Sequence, residues 1–122
     1  KMEKVAPSFG LTLVMAVASK SSEVSAATRS LCGKVDAVFV NNDNTALSAF
    51  KSVVKEAQTC GIPAFVSDID IADQGALAAL GPDQREVGQQ TARMVDFILK
   101  NPDKPLPPVE FPEKTEEYTS KE

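Results

Sequence analysis

The sequence predicts an α/β fold with a mostly parallel sheet, and three observations support this. Short apolar runs alternate along the chain with segments whose apolar residues recur at helical spacing. The run LTLVMAVA at 11–18 is apolar almost throughout, which is typical of strands buried on both faces of a parallel sheet. Turn residues separate each run from the next. This alternation favours a mostly parallel sheet with right-handed crossovers.

The first half of the chain supplies four predicted elements after an opening helix. Residues 1–9 are expected to be helical, and Gly10 suits the position just after a helix. Next come a strand at 11–18, a helix at 23–31 closed by Gly33, and a strand at 35–40. The helix that follows carries Leu47, Phe50 and Val53 on one side, which indicates an amphipathic helix over 45–58.

The second half continues the alternation. Gly61 ends the amphipathic helix, and a third strand is expected at 62–66. A loop with a short helical turn leads to a fourth strand at 76–80. Asp83 followed by Glu86 has the form of a capping box, so a long helix is expected from there to about Lys100.

Residues 1–100 are therefore interpreted as one α/β lobe, and residues 101–122 as a Pro-rich acidic tail. The tail contains an extended, β-favouring stretch at 109–111 without an evident partner. Such Pro-rich composition is typical of linkers rather than packed elements.

Composition excludes several classes of protein. The 122 residues are 43% apolar and 25% charged, as in ordinary globular domains. The net charge of −4 argues against a nucleic-acid partner, which requires a clustered positive face. No apolar stretch is long enough for a membrane span. The chain opens at Lys1 rather than Met, so we expect a processed or cut N-terminus, and the compartment stays open.

The two cysteines, Cys32 and Cys60, lack the spacing of a metal site, and the sequence contains no histidine. We expect no metal and no cofactor. The favoured interpretation is that both are small, buried or half-buried residues at helix ends; a disulfide between them is the less favoured alternative. The lack of histidine also removes the commonest general base.

Three polar loops follow predicted strands, at 19–22, 41–44 and 67–70. The carboxyl ends of parallel strands share one edge of the sheet, which is where ligands bind in open α/β sheets. Two of these loops run into helix starts, which favour an anionic group, while the aspartates suit an ammonium. A zwitterion such as a free amino acid fits both. The candidate ligand-binding residues are Ser21, Asn42, Asp43, Asn44, Asp68 and Asp70.

Simpler roles are available for each loop. Ser22 or Asn44 alone is more simply explained as a helix N-cap, and the pair Asn42 and Asp43 as an Asx-turn. The coincidence of three polar loops at one edge favours a binding function.

A catalytic alternative rests on the sequence AFVSDID, an apolar strand followed by Asp68 and Asp70. It is similar to the first motif of haloacid-dehalogenase-type phosphotransferases, in which the first aspartate is the nucleophile and the pair holds Mg²⁺. Ile71 and Ala72 stand where a threonine is expected, and no later lysine and acidic pair follows suitably. We therefore expect no enzymatic activity.

The order of motifs resembles the carboxyl-terminal lobe of ABC-transporter substrate-binding lipoproteins of the tryptophan/tyrosine type. The resemblance covers roughly residues 1–118. It rests on the GKVDA segment at 33–37 followed by DNT at 43–45, on the Asp-x-Asp pair, on GALAALG at 75–81, on the helical segment 88–95, and on the Ser-rich loop within 17–24.

The resemblance implies one lobe of a periplasmic-binding-protein-like fold, a three-layer α/β/α parallel sheet of the flavodoxin-like order. Such a lobe closes on an amino acid, typically an aromatic one. Asp43 or Asp68 would receive the ligand ammonium, and the helix start at Asn44 would receive its carboxylate. The implied partner is an ABC permease, and the implied location is the periplasm or the outer face of the cytoplasmic membrane, with a lipid-anchored parent. The effector-binding core of a transcriptional regulator shares this architecture and remains an alternative.

The resemblance also implies what is missing. A lobe of this type begins with a strand between those at 11–18 and 35–40, and this chain begins with the helix that would follow it. We expect an excerpt of a larger protein, in which 11–18 makes no ladder with 35–40. We also expect residues 106–118 to leave the body of the lobe and the tail to cross to the absent lobe.

Overall fold

The computed structural model describes residues 2–121. The α-helices are α1 (Met2–Val5), α2 (Val24–Arg29), α3 (Asn44–Ser48), α4 (Phe50–Thr59) and α5 (Gln84–Lys100), and the strands are β1 (Val38–Val40), β2 (Ala64–Val66), β3 (Ala78–Pro82) and β4 (Thr115–Thr119). Short 3₁₀-helices span Ala6–Phe9, Ser21–Glu23 and Ile69–Gln74.

The four strands form one sheet in the order β1-β2-β3-β4. β1 and β2 pair in parallel, with Val38 opposite Ala64. β2 and β3 are also parallel, and only β4 is antiparallel. The predicted α/β class and the predicted order of the strands at 35–40, 62–66 and 76–80 are confirmed.

One face of the sheet is buried by helices. Val38, Val40 and Val66 point toward α4, whose Phe50 is completely buried. Side chains alternate between the two faces of a strand, so Phe39 lies on the other face and is 45% exposed. Burying each large apolar side chain contributes about 1.5–3 kcal/mol, which makes the α4 interface a main source of stability.

The segment 11–18 differs from its prediction as a buried strand. It is assigned no strand, and Met15 and Val17 are 71% and 85% exposed. A lone apolar segment cannot form a ladder without a neighbour, and no described strand lies beside it. The expectation that 11–18 makes no ladder with the strand at 35–40 is confirmed.

Other elements begin or end a few residues from their predicted bounds. The helix predicted over 45–58 is interrupted at Ala49, which leaves the helical region and divides α3 from α4. β3 begins two residues later than expected and extends to Pro82, since that end pairs with Thr115. Asp83 caps α5 as predicted, because its side chain accepts a hydrogen bond from the Glu86 amide at 3.0 Å.

Contrary to the prediction, the end of the tail joins the sheet. β4 occupies 115–119 and pairs along the whole of β3, so the expectation for 106–118 is wrong for its last residues. The preceding stretch is extended and contacts α5, where Gln90 Nε2 donates to the Phe111 carbonyl at 3.0 Å. β4 is polar outside Tyr118, so its place comes from backbone pairing with β3 rather than from an apolar pattern.

Two linkages join α2 and α4. Arg29 donates from Nε and Nη2 to the two carboxylate oxygens of Glu56, at 3.0 and 2.7 Å, and Ser25 donates to Oε1 at 2.7 Å. The Arg29 hydrogen bonds, then that from Ser25, lower the pKa of Glu56 from 4.5 to about 2. In addition, Cys32 and Cys60 form a disulfide, with Cα atoms 5.6 Å apart.

The disulfide corrects the favoured interpretation of the cysteines as separate helix-end residues. Both do lie at helix ends: Cys32 follows α2, and Cys60 is the C-cap residue of α4. Packing of α2 on α4 places those ends side by side, a proximity that the spacing of 28 residues does not reveal.

Candidate functional site

The candidate site lies at the carboxyl edge, the edge of the sheet where β1, β2 and β3 end. The loop after β1 contains residues 41–43 and the loop after β2 contains Ser67 and Asp68. The Ser67 amide donates to the Val40 carbonyl at 3.1 Å, so these two loops start side by side. The topology therefore brings two of the three predicted polar loops together.

Asp43 is the N-cap of α3. Its Oδ1 accepts a hydrogen bond from the Ala46 amide at 3.0 Å, and its backbone carbonyl accepts from Leu47 at 2.8 Å. Asp43, rather than Asn44, is thus the capping residue, and Asn44 is the first residue of the helix. With α3 only five residues long and the Ala46 amide already satisfied, the helix start is a poorer receptor for a ligand carboxylate than the sequence suggested.

Ser21 belongs to the same neighbourhood. Its hydroxyl lies 2.9 Å from the Ser48 hydroxyl and 3.5 Å from the Thr45 carbonyl. These contacts fasten the start of the 3₁₀-helix before α2 to α3. The third predicted polar loop is therefore joined to the helix that follows β1.

Asp68 is also a cap. Its Oδ1 accepts a hydrogen bond from the Asp70 amide at 3.0 Å. Asp68 is thereby the N-cap of the 3₁₀-helix Ile69–Gln74. The side chain of Asp70 is exposed. Within residues 2–121, the second carboxylate oxygen of Asp43 and that of Asp68 accept no hydrogen bond. One acidic oxygen in each loop thus remains available to a cation.

Asn42 and Asn44 complete the predicted set. Both are exposed, and neither side chain makes a hydrogen bond to another described residue. Their amides offer both donors and acceptors to solvent.

Ser67 is a residue that the sequence analysis did not select. Its hydroxyl is buried at the end of β2 and, among the described residues, has no hydrogen-bond partner. Buried hydroxyls without partners are uncommon and call for an explanation. The strand β3 passes closely over this point, because a Cβ on Gly81 would collide with the Ser67 carbonyl oxygen. A serine directly after an apolar strand was the signal that could have identified it.

Two open cavities of about 370 Å³ each lie away from the carboxyl edge, one between α5 and the tail and one beside the strand starts near Tyr118. Residues 2–121 contain no group of three or more acidic or cysteine side chains arranged to hold a metal ion. None of the helices described is both long and apolar enough to cross a membrane.

The polar edge of this parallel sheet is lined by serine, asparagine and capping aspartates, and it lies where open α/β sheets bind small ligands, outside the carboxyl ends of the strands. The fold and this edge define one lobe of the periplasmic-binding-protein-like class.

The chain belongs to the ABC transporter substrate-binding protein family, whose model matches residues 1–115. This is a family of extracytoplasmic solute-binding proteins rather than a class of enzymes. The match includes Asp68 and Asp70, so the Asp-x-Asp pair lies within the part of the chain that matches this family.

Individual relatives agree with the family. The chain is similar to the tyrosine-binding protein of Clostridioides difficile (strain R20291), with 35% identity over 82 residues, 67% of this chain and 24% of the relative. It is similar in structure to an ABC domain in complex with L-Trp from Streptococcus pneumonia, with TM-score 0.78, 30% identity, and coverage of 87% of this chain and 36% of that one.

Two further solved structures share the fold. One is a conserved domain protein from Vibrio cholerae O1 biovar El Tor, with TM-score 0.75, 34% identity, and coverage of 81% of this chain and 33% of the other. The second is a ligand-free, open substrate-binding protein with adhesive properties from Clostridium difficile, with TM-score 0.70, 27% identity, and coverage of 98% and 41%. The chain spans about a quarter to two fifths of the length of these relatives.

Proposed function

We propose that these residues form one lobe of an extracytoplasmic binding protein that delivers a small, aromatic amino acid to an ABC importer. The observation that carries this proposal is the meeting of polar loops at the carboxyl edge of a chain from this family. A relative that binds tyrosine by name and a similar domain solved with L-Trp support an aromatic ligand.

In this proposal the acidic side chains receive the ligand ammonium. Asp43 and Asp68 each retain an oxygen that accepts no hydrogen bond from the described residues, while capping fixes the carboxylate in place. Fixed acceptors lose little conformational freedom on binding. Neutral polar contacts come from Ser21, Asn42 and Asn44. The exposed side chain of Asp70 adds negative charge at the carboxyl edge.

A second lobe supplies the other half of the site in this proposal. The carboxyl edge is open, so a ligand bound there alone would stay largely in solvent, and closure of two lobes by a hinge motion removes it from water. We also propose a lipid-anchored parent and an ABC permease as the partner.

Ligand titration of the intact protein tests the amino-acid assignment. Thermal unfolding with phenylalanine, tyrosine or tryptophan should show a higher midpoint, because ligand binding to the folded state stabilises it. Sugars and phosphate esters serve as controls. A shift with those controls and none with amino acids would show that the assignment is wrong.

Substitution of Asp43 separates capping from ligand binding. Asparagine is also a good N-cap, so Asp43→Asn should leave the unfolding midpoint nearly unchanged while weakening amino-acid binding at least about tenfold, as loss of a charge partner does. Asp43→Ala should lose both properties. The matched control is Asp36→Asn, an exposed carboxylate before β1 at the opposite edge. Normal binding by Asp43→Asn would restrict Asp43 to its structural role.

A further inference from the structure

The disulfide between Cys32 and Cys60 lies at the amino edge of the sheet, where β1 and β2 begin. Each cysteine is followed by a glycine in the left-handed region, Gly33 and Gly61, after which the chain turns toward β1 and β2. The ligand-binding loops lie at the opposite ends of the same strands. The bond therefore joins the helix layer at the end away from the candidate site.

The same two helices are already joined by the ion pair of Arg29 and Glu56. That pair lies one turn from the cysteines, and the Arg29 side chain is 67% exposed while that of Glu56 is 11% exposed. A covalent link beside a partly solvated ion pair holds the ends of α2 and α4 together under conditions that screen or protonate the pair.

Both cysteines are half-buried rather than sealed in the core. Partial exposure lets a disulfide-carrying oxidant reach one sulfur, while packing of α2 on α4 holds the second nearby. Disulfides persist in oxidising compartments and are rare in the reducing cytoplasm.

We propose that Cys32 and Cys60 are a site of oxidative maturation, in which a disulfide-class oxidant outside the cytoplasm forms the bond that staples α2 to α4. This modification does not depend on which ligand the protein binds.

The chemistry is two successive thiol–disulfide exchanges. The thiolate of one cysteine attacks the oxidant disulfide and expels one of its sulfurs as a thiolate, which leaves a mixed disulfide. The second cysteine then attacks the cysteine sulfur of that mixed disulfide, forms the Cys32–Cys60 bond and releases the oxidant's other thiolate. The two cysteine thiols lose two protons and two electrons, which the oxidant carries away as a dithiol.

Mass spectrometry of tryptic peptides from the full protein tests in which compartment the disulfide forms. Free thiols are blocked with N-ethylmaleimide under denaturing conditions, and trypsin then releases residues 30–34 and 56–85 as separate peptides. Protein recovered from outside the cytoplasmic membrane should give these two peptides joined and unblocked. The same protein retained in the cytoplasm should give both blocked. Two blocked cysteines in the exported protein, or an equal yield of joined peptides in both compartments, would overturn the proposal.

Thermal unfolding tests the staple. Cys32→Ser, Cys60→Ser and the double variant should all show the same fall in midpoint, on the order of 10 °C, because either change opens the same loop. Reductant should lower the wild-type midpoint equally and leave the double variant unchanged, which controls for the serine side chains. Additive effects of the two single changes, or no fall on reduction, would refute the staple.

Discussion

Gly81 is predicted to be the residue at the carboxyl edge least tolerant of a single added methyl group. Its φ is not in the left-handed region, so an alanine would fit the backbone conformation. The conflict is with the neighbour: the new Cβ would overlap the Ser67 carbonyl oxygen and crowd the Ser67 carbonyl carbon at 3.2 Å, while its contact with Ile69 Cγ1 at 3.6 Å is ordinary. A backbone oxygen cannot rotate away as a side chain can, so β2 and β3 must separate locally.

The expected cost follows from that overlap. Overpacking by one methyl group costs about 1–3 kcal/mol, and a backbone neighbour places Gly81→Ala near the upper figure. With an urea dependence of about 2 kcal/mol per molar, the unfolding midpoint should fall by about 1 M or more. Since Ser67 begins the loop that contains Asp68, amino-acid affinity should fall as well.

Gly88→Ala is the matched control. Gly88 lies within α5, and a Cβ there has no atom within 4 Å. Alanine is favoured over glycine in helices by about 0.5–1 kcal/mol, so this variant should be slightly more stable than the wild type. Equal midpoints for Gly81→Ala and the wild type would refute the close approach of β3 to Ser67.

Three further predictions concern stability. The pKa of Glu56 is about 2 rather than 4.5, so its contribution is fully present above pH 4.5 and is lost as the pH falls through about 2. Between pH 7 and 2, the urea midpoint of Glu56→Gln should therefore fall less steeply than that of the wild type. Parallel curves for the two proteins would contradict this. Phe50→Ala should cost about 3–5 kcal/mol in chemical denaturation, and the same change at Phe111, which is 78% exposed, should cost far less; similar losses would place Phe50 outside the core. Asp83→Ala should cost about 1 kcal/mol through loss of the α5 cap, whereas Asp83→Asn should cost little. Circular dichroism during thermal unfolding would show whether only the alanine variant is affected.

The parts of the fold that local sequence determines were predicted well. Apolar runs located β1 and β2, and Asp83 correctly marked the start of α5. The segment 11–18 has the composition of a buried strand, but a strand also needs a neighbour to pair with. β4 shows the converse case, because its polar sequence carries no strand pattern and only pairing with β3 defines it.

The sequence predicted where the three polar loops lie but not their internal contacts, and their ligand-binding role stays a prediction. Alternation of strands and helices was enough to put the three polar loops near one edge. It did not show that Asp43 and Asp68 each use one carboxylate oxygen to cap a helix, because this depends on where each helix begins. Nor did it show the buried hydroxyl of Ser67 or the pairing of Cys32 with Cys60, since both depend on how separate elements pack.

The late position of the antiparallel strand β4 in the sequence determines when this sheet can be completed during synthesis. Pro82 pairs with Thr115 and Ala78 with Thr119, so β3 receives its outer partner only after α5 and the whole extended stretch behind it have been synthesised. A nascent chain that has just released β3 from the ribosome carries a strand with an open edge, ready to pair with other chains. Completion of the sheet is thereby delayed until nearly all of these residues are available.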